Sequence, residues 1–239
     1  NISDDYRNDT VILIDANGTT STNNSFIDSS ANNFTITRNG NTTQGTFTPY
    51  SQLSGNWSNY FSGNTATSMV LSSATFPTTE DFCIECWFRN EGTLTTQTSI
   101  NSVYGGALFV PGDNTSGGFA LYVVSSTSSS ALPTGIMLYP LLGGLTELNQ
   151  VVYNLTFKWN AWNHVAVSRN ESLWAIWLNG VRIKSFTSTT NLNGGTVGIG
   201  GTTGTGTDWN FRGWISNARV IKGSFVYDPT LATYIVPTQ

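Results

Sequence analysis

Short β-prone runs separated by turn residues are the feature of this sequence that most restricts its fold. The clearest pair covers residues 172–178 and 181–186, and Asn179-Gly180 joins the two runs. Asn-Gly favours the tight two-residue turns that close β-hairpins. Alternate residues of the first run are apolar, as expected for a strand with one buried face. The pattern predicts a two-residue hairpin here.

Similar runs recur along the chain, and clusters of Ser, Thr, Gly and Asn separate them. Many short strands with such turns are typical of sandwiches and jelly rolls, and no segment shows the periodicity of a long helix. The sequence therefore predicts an all-β protein, an antiparallel β-sandwich. The runs cover residues 11–15, 33–38, 68–72, 81–90, 119–124, 135–139, 151–157, 162–169, 196–200 and 211–221.

The expected organisation is a single jelly-roll domain. It covers residues 10–227, with a lead-in at residues 1–9 and a C-terminal extension or linker at residues 228–239. With 38% hydrophobic residues the chain can form a sizeable core. A length of 239 residues is common for one sandwich domain.

Charge is scarce, since only 10% of the residues are charged and the net charge is −4, whereas about 25% charged residues are usual. No segment concentrates the Lys and Arg side chains that bind nucleic-acid phosphates. No apolar run is long enough to span a membrane. We expect neither a nucleic-acid partner nor membrane insertion.

The two cysteines, Cys83 and Cys86, have the C-x-x-C spacing of zinc and redox sites. Zinc requires two further ligands, and His164 is the only other soft donor in the chain. Residues three apart on a strand point to opposite faces. The prediction is therefore two buried free thiols.

Several motifs follow one another in a characteristic order between about residues 10 and 227. They are DSSANNFTI at 28–36, WSNYFSG at 57–63, DFCIECW at 81–87, WNHVAVSR at 162–169, LNGV at 178–181 and FRGWISNARV at 211–220. This order resembles that of laminin-G-like, concanavalin-A-like jelly-roll modules, in the version found in tail, fibre and other structural proteins of bacteriophage virions, especially marine ones. The resemblance implies two stacked antiparallel sheets, with the hairpin at Asn179-Gly180 and the 211–220 strand central. It also implies that Asp28 caps a turn.

Glycanases with this fold carry a Glu-x-Asp-x-x-Glu pattern that supplies acid and nucleophile. This chain has Glu80, Asp81 and Glu85, in which the aspartate comes one residue too early. Strand alternation places Glu80 on the face opposite the other two. His164 has no Gly-x-Ser-x-Gly elbow to act with. We therefore predict no enzymatic activity and no catalytic residues.

Calcium prefers six to eight oxygen ligands, which related sandwiches supply from loops. Asp113 and Asn114 lie in a Gly-rich stretch at residues 111–118, and Asp208 lies in another. Neither stretch has clustered carboxylates. We expect no cofactor, with calcium at these residues as the alternative.

Sugar sites combine an aromatic ring with neutral or acidic hydrogen-bonding groups. Trp209 is flanked by Asp208, Asn210 and Arg212 and is the predicted sugar platform, while Trp87 and Trp177 are second-line candidates. Most of the eight tryptophans must serve packing instead.

The sequence is interpreted as a non-catalytic module of a virion surface protein, either fibre, tail or capsid decoration. Its partners would be other virion proteins or copies of itself in a homo-oligomer, and host surface glycans. Its location would be the virion surface or the extracellular space. The alternatives are a glycan hydrolase on the same fold and a secreted carbohydrate-binding adhesion domain.

Overall fold

Strands account for almost all of the regular structure. The computed structural model describes residues 6–16, 25–50, 57–63, 67–72, 74, 79–91, 104–113, 117–125, 134–141, 146–158, 160–192, 195–202 and 209–238. Within these ranges there are fifteen β-strands and one 3-10 turn, Thr146–Leu148, and no α-helix. The strands are β1 Thr10–Ile14, β2 Ile36–Asn39, β3 Thr43–Gly45, β4 Ser58–Ser62, β5 Ser68–Leu71, β6 Phe82–Asn90, β7 Tyr104–Asp113, β8 Gly117–Ser125, β9 Gly135–Pro140, β10 Gln150–Val152, β11 Asn163–Asn170, β12 Leu173–Leu178, β13 Val181–Thr187, β14 Val197–Ile199 and β15 Arg212–Lys222.

The strands form two antiparallel sheets that pack as a sandwich. The first sheet has the order β13-β12-β11-β6-β15-β4-β3, and β1 also pairs with β15. The second sheet has the order β10-β9-β8-β7-β14-β5-β2. The predicted all-β jelly-roll sandwich is confirmed.

The strand at residues 211–220 is central as expected, because β15 lies between β6 and β4. The hairpin at Asn179-Gly180 is not central, which corrects the expectation. Its second strand, β13, is at the end of the strand order of the first sheet, and β12 is its one strand partner among the described residues. The turn itself is as predicted: both residues have positive φ, 50° and 82°, as a tight hairpin turn requires.

The main core lies between the sheets and is built from alternating strand residues. Ile84, Cys86 and Phe88 of β6 belong to it. The ring of Trp174 from the first sheet meets Phe119 of the second sheet edge to face, with ring centroids 5.9 Å apart. Such contacts join the two layers across the apolar core.

Cys83 and Cys86 are both buried and free, as predicted. Cys86 points into the main core, whereas Cys83 belongs to a separate apolar cluster with Trp177 and Tyr227. That cluster lies on the opposite side of the first sheet, which we call the outer face. Strand alternation thus separates the two sulfur atoms.

The segment at residues 223–238, here called the C-terminal tail, packs against this outer face. The Tyr234 amide donates to the Gly180 carbonyl at 2.8 Å, and the Arg182 amide donates to the Ala232 carbonyl at 2.9 Å. Residues 228–238, predicted to be an extension or linker, therefore lie along the sandwich.

Asp28 holds the segment before β2 onto β1, and its predicted role in a turn is confirmed. Its carboxylate accepts hydrogen bonds from the backbone amides of Leu13, Ser30 and Phe34 at 2.9, 3.0 and 2.9 Å. The bond to Ser30 closes an Asx turn. Asp28 is buried, so these hydrogen bonds are shielded from water.

We expect Asp28→Ala to lower the free energy of unfolding by about 3 kcal/mol, because it leaves buried backbone donors without an acceptor. Urea denaturation measures the change. Asp228 is the matched control, since it closes a similar turn with Thr230 at the surface. Asp228→Ala should change the stability by only about 0.5 kcal/mol. Equal losses in the two variants would contradict the role of Asp28.

Candidate functional site

Glu85 occupies the middle of the outer face of the first sheet. Its strand, β6, lies between β11 and β15, which places Glu85 opposite Ala166 and Arg219. The Arg219 Nε donates to Glu85 Oε1 at 2.5 Å, and His164 Nε2 lies 3.0 Å from Oε2. Glu85 is 4% exposed, so these groups replace the water that a carboxylate otherwise binds.

Two tyrosines of the C-terminal tail complete this buried cluster. The Tyr227 hydroxyl donates to Glu85 Oε2, and the Tyr234 hydroxyl lies 2.5 Å from His164 Nδ1. Their rings stack with centroids 3.7 Å apart. The tail thus covers Glu85 and His164 with an aromatic layer. We call Glu85, His164, Arg219, Tyr227 and Tyr234 the buried polar cluster.

The environment of Glu85 keeps it ionised. Burial opposes ionisation, but the hydrogen bond from His164 and the charge of Arg219 outweigh it and lower the pKa of Glu85 to about 2. Burial, together with the charge of Glu85, raises the pKa values of Tyr227 and Tyr234. A carboxyl group with so low a pKa is poorly suited to act as a general acid near neutral pH.

The three acidic residues of the glycanase-like segment do not converge. Glu80 precedes β6 and pairs with Lys222 at 3.2 Å near the surface. Asp81 accepts a hydrogen bond from the Glu171 amide at 2.6 Å. Only Glu85 points into the buried polar cluster. The pair of facing carboxylates that glycoside hydrolysis requires is therefore not formed by these residues.

Aromatic side chains from distant parts of the chain gather at the other end of the outer face. Arg89 lies opposite Trp214 in the strand register, and Trp214 lies opposite Tyr60. Trp162 directly precedes β11, whose first residue pairs with Phe88 of β6. Strand pairing thus brings these side chains into one row across the sheet.

Phe47 lies over this row. Its ring stacks on Trp162 with a centroid distance of 5.5 Å and contacts Trp214 at 5.6 Å. Phe47 is 39% exposed, while Tyr60, Trp162 and Trp214 are half-buried. We call Phe47, Tyr60, Trp162 and Trp214, with Arg89 and Glu91, the aromatic surface.

An ion pair fixes the rings of the aromatic surface. Arg89 pairs with Glu91, and Glu91 also accepts a hydrogen bond from Trp214 Nε1 at 2.9 Å. The Arg89 guanidinium lies 4.7 Å from the centre of the Phe47 ring, a cation–π contact. The ring positions are therefore held before any ligand arrives.

Trp209, the predicted sugar platform, lies outside the aromatic surface. Trp209 is 7% exposed, and its ring packs against Tyr122 with a centroid distance of 5.0 Å. Asn210 is buried and Arg212 half-buried, while Asp208 lies outside the described residues. A stacking platform needs an open ring face, so the exposure of Trp209 gives no support to the predicted role. Of the second-line candidates, Trp177 is fully buried, and Trp87 is half-buried between the aromatic surface and His164.

Calcium binding at Asp113, Asn114 and Asp208 remains a prediction. Asp113 is the last residue of β7 rather than part of a loop, while Asn114 and Asp208 lie outside the described residues. Within the described ranges no group of three or more His, Cys, Asp or Glu side chains could hold a metal ion. The same ranges contain no helix long and apolar enough to cross a membrane.

Comparison with known proteins gives a family match and several structural likenesses. A family model described as the concanavalin A-like lectin/glucanases superfamily matches residues 61–225, more than half of the chain. A search of curated protein sequences finds no match.

Among solved structures, domain 4 of AbnA, a GH43 extracellular arabinanase from Geobacillus stearothermophilus in complex with arabinotriose, aligns with a TM-score of 0.62 at 15% identity, over 92% of this chain and 95% of that chain. The binding domain of Paraclostridial Mosquitocidal Protein 1 aligns with a TM-score of 0.60 at 12% identity, over 94% of this chain and 51% of that chain. A Trypanosoma rangeli sialidase in complex with sialic acid gives a TM-score of 0.54 at 12% identity, over 89% of this chain and 30% of that chain. At such identities the likenesses show the jelly-roll fold.

The pKa of Glu85 predicts a specific acid sensitivity. Because the folded-state pKa is lowered from 4.5 to about 2, the stabilisation from Glu85 is complete above about pH 4.5 and is lost as the pH falls towards 2. We expect Glu85→Gln to be less stable by about 3 kcal/mol near neutral pH, since it leaves Arg219 without its counter-charge. The difference from wild type should shrink between about pH 4.5 and 2.

Urea midpoints measured across this pH range test the prediction. Glu80→Gln is the control, because it makes the same chemical change at the exposed pair with Lys222, and it should keep the wild-type pH profile. A stability difference between wild type and Glu85→Gln that stays constant down to about pH 2 would show that Glu85 is not the group responsible.

Proposed function

Since the chain belongs to the concanavalin A-like lectin/glucanase superfamily, we propose that it is a non-catalytic glycan-binding module that uses the aromatic surface. The observation that carries the proposal is the set of preorganised rings on the outer face. Phe47 is exposed there, and half-buried Trp162 and Trp214 flank it. Aromatic faces of this kind offer the apolar contact area that the C–H face of a sugar ring can cover.

The rigid setting of the rings favours binding. Trp214 lies directly on the backbone of Gly45, where an added Cβ would come within 2.8 Å of the indole ring. The hydrogen bond to Glu91 holds the same indole from its nitrogen. A surface that is already ordered has little conformational entropy to lose when a ligand binds. The fold neighbour in complex with arabinotriose agrees with a sugar as the ligand class.

A glycan hydrolase on the same sandwich is the rival function. The solved structures with a similar fold include a sialidase and a domain of an arabinanase, so hydrolysis is the activity to be distinguished from binding. Glu85, the one acidic residue in the buried polar cluster, is covered by Tyr227 and ionised. The separation of Glu80 and Asp81 from Glu85 favours the binding function.

We expect Phe47→Ala and Trp162→Ala each to weaken glycan binding by about tenfold, because each removes a stacking surface. Affinity electrophoresis in gels containing hydroxyethylcellulose, agarose, arabinan or galactomannan measures the binding. Leu231→Ala is the control, since Leu231 is a similarly exposed apolar residue, on the C-terminal tail, and it should bind like wild type.

Two results would contradict this function. The first is equal retardation of wild type, both aromatic variants and the control in every gel. The second is the appearance of new reducing ends when the wild-type protein is incubated with the same polysaccharides, which would establish hydrolysis.

The proposal also places the module on the surface of a virion, as fibre, tail or capsid decoration. The order of motifs from residues 28–36 to 211–220 supports this placement through its resemblance to phage structural modules. Scarce charge and a sandwich of short strands suit a rigid surface unit. Its partners would be copies of itself or other virion proteins.

We expect an antibody against this domain to label the outside of particles purified from a host that produces this chain, as seen by electron microscopy. Mass spectrometry of the same particles checks that the chain is present. A chain absent from the particles but recovered from the culture medium would favour the alternative of a secreted adhesion domain.

A further inference from the structure

We propose that the aromatic surface selects an uncharged glycan chain of at least two sugar rings. This inference rests on the proposed glycan-binding function and specifies its ligand. It follows from the charge balance of the surface, from the arrangement of its rings and from the small size of its apolar area.

The two charged members of the aromatic surface neutralise each other. Arg89 and Glu91 both contact its rings, and they are paired. Glu91 is also engaged by the Trp214 indole. An anionic glycan would have to displace the Glu91 carboxylate to reach the guanidinium, which disfavours acidic sugars. Farther along β6 and β15, Glu85 and Arg219 are likewise paired with each other.

The aromatic surface contains N–H donors of the kind that sugar hydroxyl groups can accept from. Trp162 Nε1 and Arg89 Nε are buried and have no hydrogen-bond partner among the residues that the structure describes. Such donors are destabilising when they stay unpaired. A sugar hydroxyl can accept a hydrogen bond from donors of this kind without bringing a charge into the site.

The rings define the minimum length of the ligand. Phe47 lies between Trp162 and Trp214, with centroid distances of 5.5 and 5.6 Å and interplanar angles of 24° and 54°. The three rings therefore do not share one plane, and a single sugar ring stacked on one of them leaves the others uncovered. A chain of two or more sugars can cover consecutive rings.

The apolar area is small for a protein partner. Stable protein interfaces bury about 800 Å² on each side. The large hydrophobic side chains that are exposed in the described ranges are Ile27, Phe47, Val181, Leu231 and Ile235, and of these only Phe47 belongs to the aromatic surface. A glycan chain matches this area better than a folded protein does.

Matched neutral and anionic polysaccharides test the inference. The pairs are hydroxyethylcellulose with carboxymethylcellulose, and agarose with carrageenan. Wild-type protein should bind the neutral member more tightly, and its affinity should change less than about twofold between low and high salt, since no charges pair on binding. The variant Glu91→Gln should gain binding to the anionic member at least about threefold, because it frees the charge of Arg89 while keeping an acceptor for Trp214.

Glu80→Gln is the control for this variant, because it removes the same charge from the pair with Lys222 and should leave the preference unchanged. Urea denaturation confirms that both variants are folded. Tighter binding of wild type to the anionic members, or binding that falls steeply with salt, would overturn the inference and leave the glycan-binding function standing. Absence of wild-type binding to all four polysaccharides would overturn both.

Discussion

A carboxylate removed from water costs several kcal/mol unless positive charges and hydrogen-bond donors surround it. Glu85 lies in this situation at the centre of the outer face. The compensating groups are His164 of β11, Arg219 of β15 and Tyr227 of the C-terminal tail, and Tyr234 of the tail contacts His164 in turn. Keeping Glu85 ionised therefore requires that β6, β11, β15 and the tail all stay in position. This requirement explains why residues beyond β15 pack against the sandwich.

The same cluster divides the outer face into two regions. The tail seals one end through Tyr227 and Tyr234, whereas the aromatic surface at the other end stays partly open. Trp87 lies between them, with its ring 5.2 Å from His164 and 6.1 Å from Tyr50. The stability of the buried polar cluster thus supports the strands that hold the aromatic rings in register.

Local sequence patterns predicted most of the strands and the Asn179-Gly180 turn, because alternation and turn chemistry act over a few residues. The predicted runs missed β3, β4 and β7, and glycines hide the strand character of β7. At Gly105 an added Cβ would come within 3.2 Å of the Trp209 ring, and at Gly106 within 3.0 Å of the Phe211 backbone. The same close packing explains why Trp209, predicted to be exposed, is buried against the second sheet.

The two clusters of the outer face could not be predicted because their members are distant in sequence. Arg219 and Tyr227 follow Glu85 by 134 and 142 residues, and only the pairing of β6 with β15 and the course of the tail bring them together. The aromatic surface depends on the register of four strands. Low charge, visible in the composition, acquires a specific meaning in this arrangement. Arg89 pairs with Glu91 and Arg219 pairs with Glu85, so the aromatic rings beside these pairs are available for recognition.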